Sequence, residues 1–348
     1  MRRVAIALSL ALAACGGGGS KEPEKPKAEP VSERKAEKDA KGLVTEIYAT
    51  IGRANTDGLM ALVADPVYVL GPRKKDALAT RADALVSLKE ILEAEKAKKF
   101  PVHSGNLSVV ASPGGLSAWV VDTIEVEGSP MAVTAVLTNA DDFWVVSAAS
   151  VAVTPSMKSV RSELKKDAVV PPAMELPGNV PDAAEGAAEK FKKGFAHPVR
   201  WGEDLIKRGD SVVLGPSADE VTRGKAPIAK LWRKRDKANV RYAQAGDTIA
   251  GTTSDGQLAW VSAPVVRFED DEDQPLPLRL FGIYEKAGSD WSLIALQESL
   301  AIDEPGQGAS FKKISAPGKE EPPPPPPKKT EDKEKPKKKK KKKKSSDD

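Results

Sequence analysis

The chain has 348 residues, 40% of them hydrophobic and 5% aromatic, with 54 basic and 50 acidic side chains and a formal net charge of +4. That length holds two domains of ordinary size with room for tails. One cysteine excludes an internal disulfide, so the fold has to rest on packed cores.

Met1 to Ala14 has a basic start, Arg2 and Arg3, and then an apolar run from Val4 to Ala14 that is too short to span a bilayer. It reads as a secretory signal. Leu12-Ala13-Ala14-Cys15 resembles the lipobox of bacterial lipoproteins. The resemblance implies cleavage before Cys15, a diacylglyceryl thioether on its sulfur and an acylated new amino terminus. Two or three acyl chains would hold a protein durably where one would not. Gly16, where lipoproteins retained in the inner membrane often carry aspartate, implies an outer membrane facing the periplasm. From Gly16 the text GGGGSKEPEKPKAEPV cannot bury a core and is expected to form a tether.

Glu33 to Ala54 places Val44, Ile47, Tyr48 and Ile51 at helical spacing. TDGLMALVAD predicts a short second helix, VYVL a strand, ALATR another strand, and Asp83 to Lys98 a long amphipathic helix. NLSVVAS, LSAWVVDTIEV, MAVTAVLTN and DFWVVSAASVAV then read as strands separated by turns. The second half repeats the order, with Ala184 to Phe195, WGEDLIKRG, SVVLG, a helix opening at Pro227, and strands around Thr248, Trp260, Leu280 and Leu293.

The halves also match in text. VYVLGP recurs as SVVLGP, Thr80-Arg81-Ala82 as Thr222-Arg223-Gly224, and LSAWVV as QLAWVS. The offsets are 144 for Val69 to Val213, 142 for Thr80 to Thr222, 141 for Trp119 to Trp260 and 147 for Trp144 to Trp291. A longer loop, FEDDEDQPLP, accounts for the last jump. Its five consecutive carboxylates lack the calcium-loop pattern and read as a solvated tip.

Helices gathered ahead of strands predict an α+β fold. In that order, strand with GP, strand with TR, long helix, strands with AWV and a terminal tryptophan strand resemble the SnoaL-like, nuclear transport factor 2-like family. The resemblance implies two tandem cones, each a curved antiparallel sheet packed on helices. Some members use the interior pocket for catalysis on polyketides or steroids; many use it only to bind or dimerise. Members with histidines after the last tryptophan carry them where this chain has Val145-Val146-Ser147-Ala148 and Ser292-Leu293-Ile294-Ala295. The expected boundaries are a signal at 1–14, a tether at 15–32, a first domain at 33–154, a linker at 155–180, a second domain at 181–302 and a tail at 303–348.

Little else points to chemistry. His103 and His197 lie in different halves, outside any metal-ligand spacing, so no metal, no cofactor and no catalytic residue is assigned. Asp122, after AWVV, is the best candidate for a buried base, and the second half has Ala263 near that place. Trp119, Trp144, Trp260 and Trp291 either line a pocket or fill the cores.

The tail carries six prolines, Pro322 to Pro327, and an unbroken cationic run of Lys337, Lys338, Lys339, Lys340, Lys341, Lys342, Lys343 and Lys344. Without Arg2, Arg3 and the twelve lysines from Lys328 onward, 40 basic residues remain. Without the tail's five acids, 45 acidic ones do. The interior is therefore net negative, and the positive charge belongs to the ends. Each lysine contributes about 1 kcal/mol at an anionic surface, so lipids or acidic envelope polymers are the expected contacts. Nucleic acid is not expected, because no aromatic residues interleave the lysines.

Together these features predict a lipid-anchored envelope protein whose tandem domains bind a ligand or a protein without catalysis. Two alternatives stay open: an enzyme of the same fold acting on a small hydrophobic substrate, and an adhesion or tethering protein working through its lysine tail.

Overall fold

A computed structural model describes residues 32–73, 75–94, 99–126, 129–140, 142–158, 180–270 and 275–300. The first half opens with α1 (Glu33–Gly52), capped by Ser32, whose side chain accepts from the Lys35 amide. Ala36, Ala40, Leu43 and Val44 are buried along one stripe, so this helix packs by one face. After a 3-10 turn at Asp57–Leu59 come β1 (Val63–Leu70), β2 (Ala77–Leu78), α2 (Arg81–Ala94), β3 (Val102–Ser104), β4 (Ser108–Ala111), β5 (Ser117–Val126), β6 (Ser129–Ala140) and β7 (Phe143–Val153). The second half follows the same order with α3 (Asp182–Ala196), α4 (Val199–Leu205), β8 (Val212–Leu214), β9 (Val221–Arg223), α5 (Lys225–Lys237), β10 (Arg241–Gln244), β11 (Ile249–Thr252), β12 (Leu258–Phe268), β13 (Leu276–Ala287) and β14 (Asp290–Ser299).

Each half is α+β, and the two sheets have one topology. The first runs β2-β1-β7-β6-β5-β3 with β4 also on β5; the second runs β9-β8-β14-β13-β12-β10 with β11 also on β12. Three details depart from the sequence-based expectation. The sheets are mixed, because β1 lies parallel to β7 and β8 parallel to β14. A strand that leaves through a helix and several hairpins can return alongside itself in parallel. The helix expected over TDGLMALVAD is reduced to the 3-10 turn, held by the Asn55 side chain accepting from the Gly58 amide. Val63-Ala64-Asp65 enter β1, where Val63 pairs with Val146. Finally, β3 and β10 are strands beyond those the sequence pattern predicts; they are short and pair with the ends of β5 and β12.

Helices cover one face of each sheet. In the second half α3, α4 and α5 enclose a core of Phe191, Phe195, Trp201, Leu205, Ile228, Trp232, Tyr284 and Leu293. In the first half α1 closes a smaller core with Leu43, Val44, Val120 and Leu137. The other faces of the two sheets pack on each other through a shared cluster that includes Tyr68, Leu70, Trp119, Val121, Leu214, Trp260, Phe281 and Ile283. Tyr68 stacks on Trp260 at 4.3 Å, and Trp260 on Phe281 at 6.2 Å. Polar bonds rim this seam: Ser117 donates to Asp255 at 2.8 Å and Arg223 to the Asn106 carbonyl at 2.9 Å. The chain thus folds as two like halves joined sheet to sheet, an internal pseudo-dimer.

Candidate functional site

Three polar places stand out in the apolar framework. The first lies inside the second half, on the helix-covered face. Arg235 of α5 donates to Glu298 of β14 at 2.6 Å, Arg267 of β12 donates to the other Glu298 oxygen at 2.5 Å, and the Tyr242 hydroxyl donates to Glu298 at 2.7 Å. All four side chains are buried. Burial pushes the Glu298 carboxyl up, but Arg235 and Arg267 outweigh it and hold it below its ordinary value. The register explains why only this half needs the cluster. Val102 pairs with Val126 where Tyr242 pairs with Arg267, and Val133 pairs with Val151 where Leu280 pairs with Glu298. The first half therefore places valines where the second places ions, in a cluster of Ile124, Val126 and Val133. Every partner of Glu298 comes from its own half, so the four-residue cluster ties α5, β10, β12 and β14 together and offers no open ligand position.

The second place is Asp122, fully buried on the helix-covered face of β5. Its carboxylate accepts from the Tyr48 hydroxyl at 3.2 Å and from the Asn106 amide at 3.0 Å. Both oxygens are occupied, so this carboxylate anchors α1 and the β3–β4 connection to the sheet.

The third is a cleft of about 440 Å³ between the two halves, at one edge of the seam. The first half lines it with Asn106, Thr123, Glu125, Met131 and Ala132, and the second with Leu214, Gly215, Ser217 and Val221. Its walls mix methyl groups with hydroxyls and backbone carbonyls, the composition of a pocket that orients a small ligand. His103 also lines it, and pairs across the strands with Glu125.

The structure separates the four tryptophans. Trp144 and Trp291 face the helices, within the respective cores. Trp119, fully buried, and Trp260 point the other way and lie in the seam, outside the interior of either half. His197 stands at the C-terminal cap of α3, whereas His103 lies on β3 of the other half. Cys15 and Lys337 to Lys344 lie outside the described residues. Sequence reasoning passed over Arg235, Tyr242, Arg267, Arg279 and Glu298. Arg267 in PVVRF, Arg279 in PLRLF and Glu298 in ALQES are charges inside strand runs that are otherwise apolar, and that signal was available. Among the described residues no group of three or more histidine, cysteine or acidic side chains is placed to hold a metal, and no helix is long and apolar enough to cross a membrane.

No protein-family profile matches the chain, and no curated protein matches it. Solved structures do. An NTF2-like family member from Streptomyces avermitilis is 16% identical, covering 35% of this chain and 99% of its own, with a TM-score of 0.32. An NTF-2 like protein of unknown function from Silicibacter pomeroyi is 10% identical over 35% and 99%, with a TM-score of 0.29. A protein with a cystatin-like fold from Caulobacter vibrioides is 8% identical over 38% and 98%, with a TM-score of 0.31.

Proposed function

We propose that the chain is a lipid-anchored protein of the bacterial envelope, held through Cys15, whose two SnoaL-like halves form one binding module that works without catalysis. The observation that supports binding is the placement of open space. Both interiors are packed with side chains, and the buried Glu298 and Asp122 carboxylates are held by partners of their own half, whereas the seam between the halves opens into the 440 Å³ cleft. The lysine run Lys337 to Lys344 would add adhesion to anionic lipid or wall polymer beside the anchor, an attraction that salt screens.

Two measurements test the reading. Labelling cells with an alkynyl fatty acid should tag the protein and move it to the detergent phase, and Cys15→Ser should lose both; an untagged wild type sinks the anchor. Fragment screening by protein-observed NMR should perturb Thr123, Met131 and Val221 in the cleft. Perturbations confined to the interior, around Trp144 or Phe191, would transfer the site to the cones and reopen the enzymatic alternative at Asp122.

A further inference from the structure

The cleft has a filled twin at the opposite edge of the seam. Strand register sets the equivalence. Trp119 pairs with Val136 and Trp260 with Ile283; four residues along, Thr123 pairs with Ala132 and Pro264 with Arg279. Arg279 therefore occupies in the second half the place that Ala132 holds in the first. The turns they face are equivalent too. The Gly71 amide donates to the Asp76 carbonyl at 2.8 Å and the Asp76 amide to the Arg73 carbonyl at 3.0 Å. In the second half Gly215 donates to Glu220 at 2.7 Å and Glu220 to Ser217 at 3.0 Å.

At the filled edge the buried Arg279 guanidinium crosses the seam and donates to the carbonyls of Gly71 and Arg73, the latter at 3.2 Å. Burial lowers its pKa to about 10, while Asp76 pulls the other way, and the guanidinium keeps its charge at neutral pH. At the open edge Ala132 stops at its methyl group, and what lies beyond it, against Gly215 and Ser217, is the cleft. The carboxylates differ in the same sense. Asp76 is held by Arg73 and Ser87. Its counterpart Glu220 has no arginine in the turn itself, because Ser217 stands in place of Arg73 and turns its hydroxyl to Asp219; the cations acting on Glu220 are Arg267 and Arg235 of the interior cluster. One Glu220 oxygen, Oε2, is buried without a hydrogen-bond partner. Arg223, two residues beyond Val221 of the cleft wall, donates to the Asn106 carbonyl.

We infer that the cleft is a guanidinium-binding site: the head group of an arginine-type ligand enters beside Ala132 and donates to the Gly215 and Ser217 carbonyls, as Arg279 does to Gly71 and Arg73. Glu125 supplies a carboxylate at the cleft wall. The planar fork of a guanidinium suits two carbonyls better than a lysine ammonium does. This inference rests on the cleft being the binding site of the module.

The test uses the full chain and two isosteric probes, N-acetylarginine amide and N-acetylcitrulline amide, followed by calorimetry and NMR. The arginine probe should bind at least about tenfold more tightly than its uncharged isostere, as expected for charge-assisted bonds. Ala132→Arg, which copies the filled edge, should abolish binding. If that variant does not fold, Glu125→Gln serves in its place and should weaken the arginine probe severalfold while leaving citrulline unchanged. A hexapeptide with a central arginine, if it binds more tightly than the capped amino acid, identifies a peptide as the source of the head group. Equal binding of the two probes, abolished together by Ala132→Arg, overturns the guanidinium assignment and keeps the cleft as a site. Arginine binding that survives Ala132→Arg overturns the assignment as well. Failure of the proposed binding module would look different, with no probe or fragment perturbing cleft resonances.

Discussion

Glu298 is a carboxylate with no exposed surface, surrounded by two guanidinium groups and a phenol. Removing one member of such a set strands the others, a loss of about 3–5 kcal/mol, whereas replacing the whole set with apolar side chains is often neutral or stabilising. The first half shows what the apolar version looks like, with valines at 102, 126 and 151. Glu298→Gln should therefore lower the unfolding free energy by about 3–5 kcal/mol. The combined Arg235→Met, Arg267→Val, Glu298→Val variant should recover most of it; denaturant titration of the three proteins decides, and a combined variant as weak as the single one refutes the explanation. Glu220 titrates the other way. Burial raises its pKa above the ordinary value of 4.5. The folded state then binds a proton that the unfolded state has released, so its contribution is full below that value and falls as pH rises through the folded pKa. Against Glu220→Gln, the wild type should lose relative stability as pH climbs above 4.5 and level off once the folded-state pKa is passed. A difference that stays flat across that range would mean no such shift. The charges of the Glu298 cluster stand out in apolar strand text, but their pairing is not legible there, because positions 235, 242, 267 and 298 are brought together only by the fold of the sheet and its helix.

At the scale of elements, two helical glycines separate propensity from packing. Gly42 sits in α1 with nothing within 4 Å of where a Cβ would stand. Gly194 sits in α3 with the Trp201 ring 2.0 Å from that point. Alanine gains about 1 kcal/mol over glycine in a helix interior. Gly42→Ala should therefore raise stability by roughly 0.5–1 kcal/mol. Gly194→Ala gains the same propensity but drives a methyl group into the indole, and overpacking costs about 1–3 kcal/mol or more. Its net effect should be a loss, measured as a lower melting temperature beside a raised one for Gly42→Ala. The helices themselves were legible, since α1, α2, α3 and α5 carry apolar residues at helical spacing on an otherwise charged surface. The short elements were not. β3 and β10 have three and four residues and exist by pairing with the long strands β5 and β12, a contact that no local pattern announces. The facing of Trp119 and Trp260 was equally opaque, because β5 is buried from Ser117 to Asp122 and β12 from Leu258 to Arg267. A strand covered on both sides loses the alternation that tells one face from the other.

For the whole molecule, the duplication was readable from the text alone, but its purpose was not. The repeats would also fit two beads on a string. Instead the halves share a core, in which Tyr68 and Trp119 of the first meet Trp260 and Phe281 of the second. Few surfaces of that apolar content survive exposed on a soluble protein, so each half depends on the other to cover its sheet. That dependence predicts one cooperative unfolding event and not two. Trp260→Ala removes the side chain that bridges Tyr68 and Phe281, a truncation worth about 3–5 kcal/mol. If the seam is a common core, the loss belongs to both halves even though the substitution sits in one. Native-state amide exchange should then show protection falling by similar amounts in β6 of the first half and β13 of the second, two strands that are never adjacent in sequence or sheet. A fall confined to the second half would show instead that the halves unfold separately and that the seam contributes little. In that case the cleft at its edge would lose the rigid wall on which ligand selection depends.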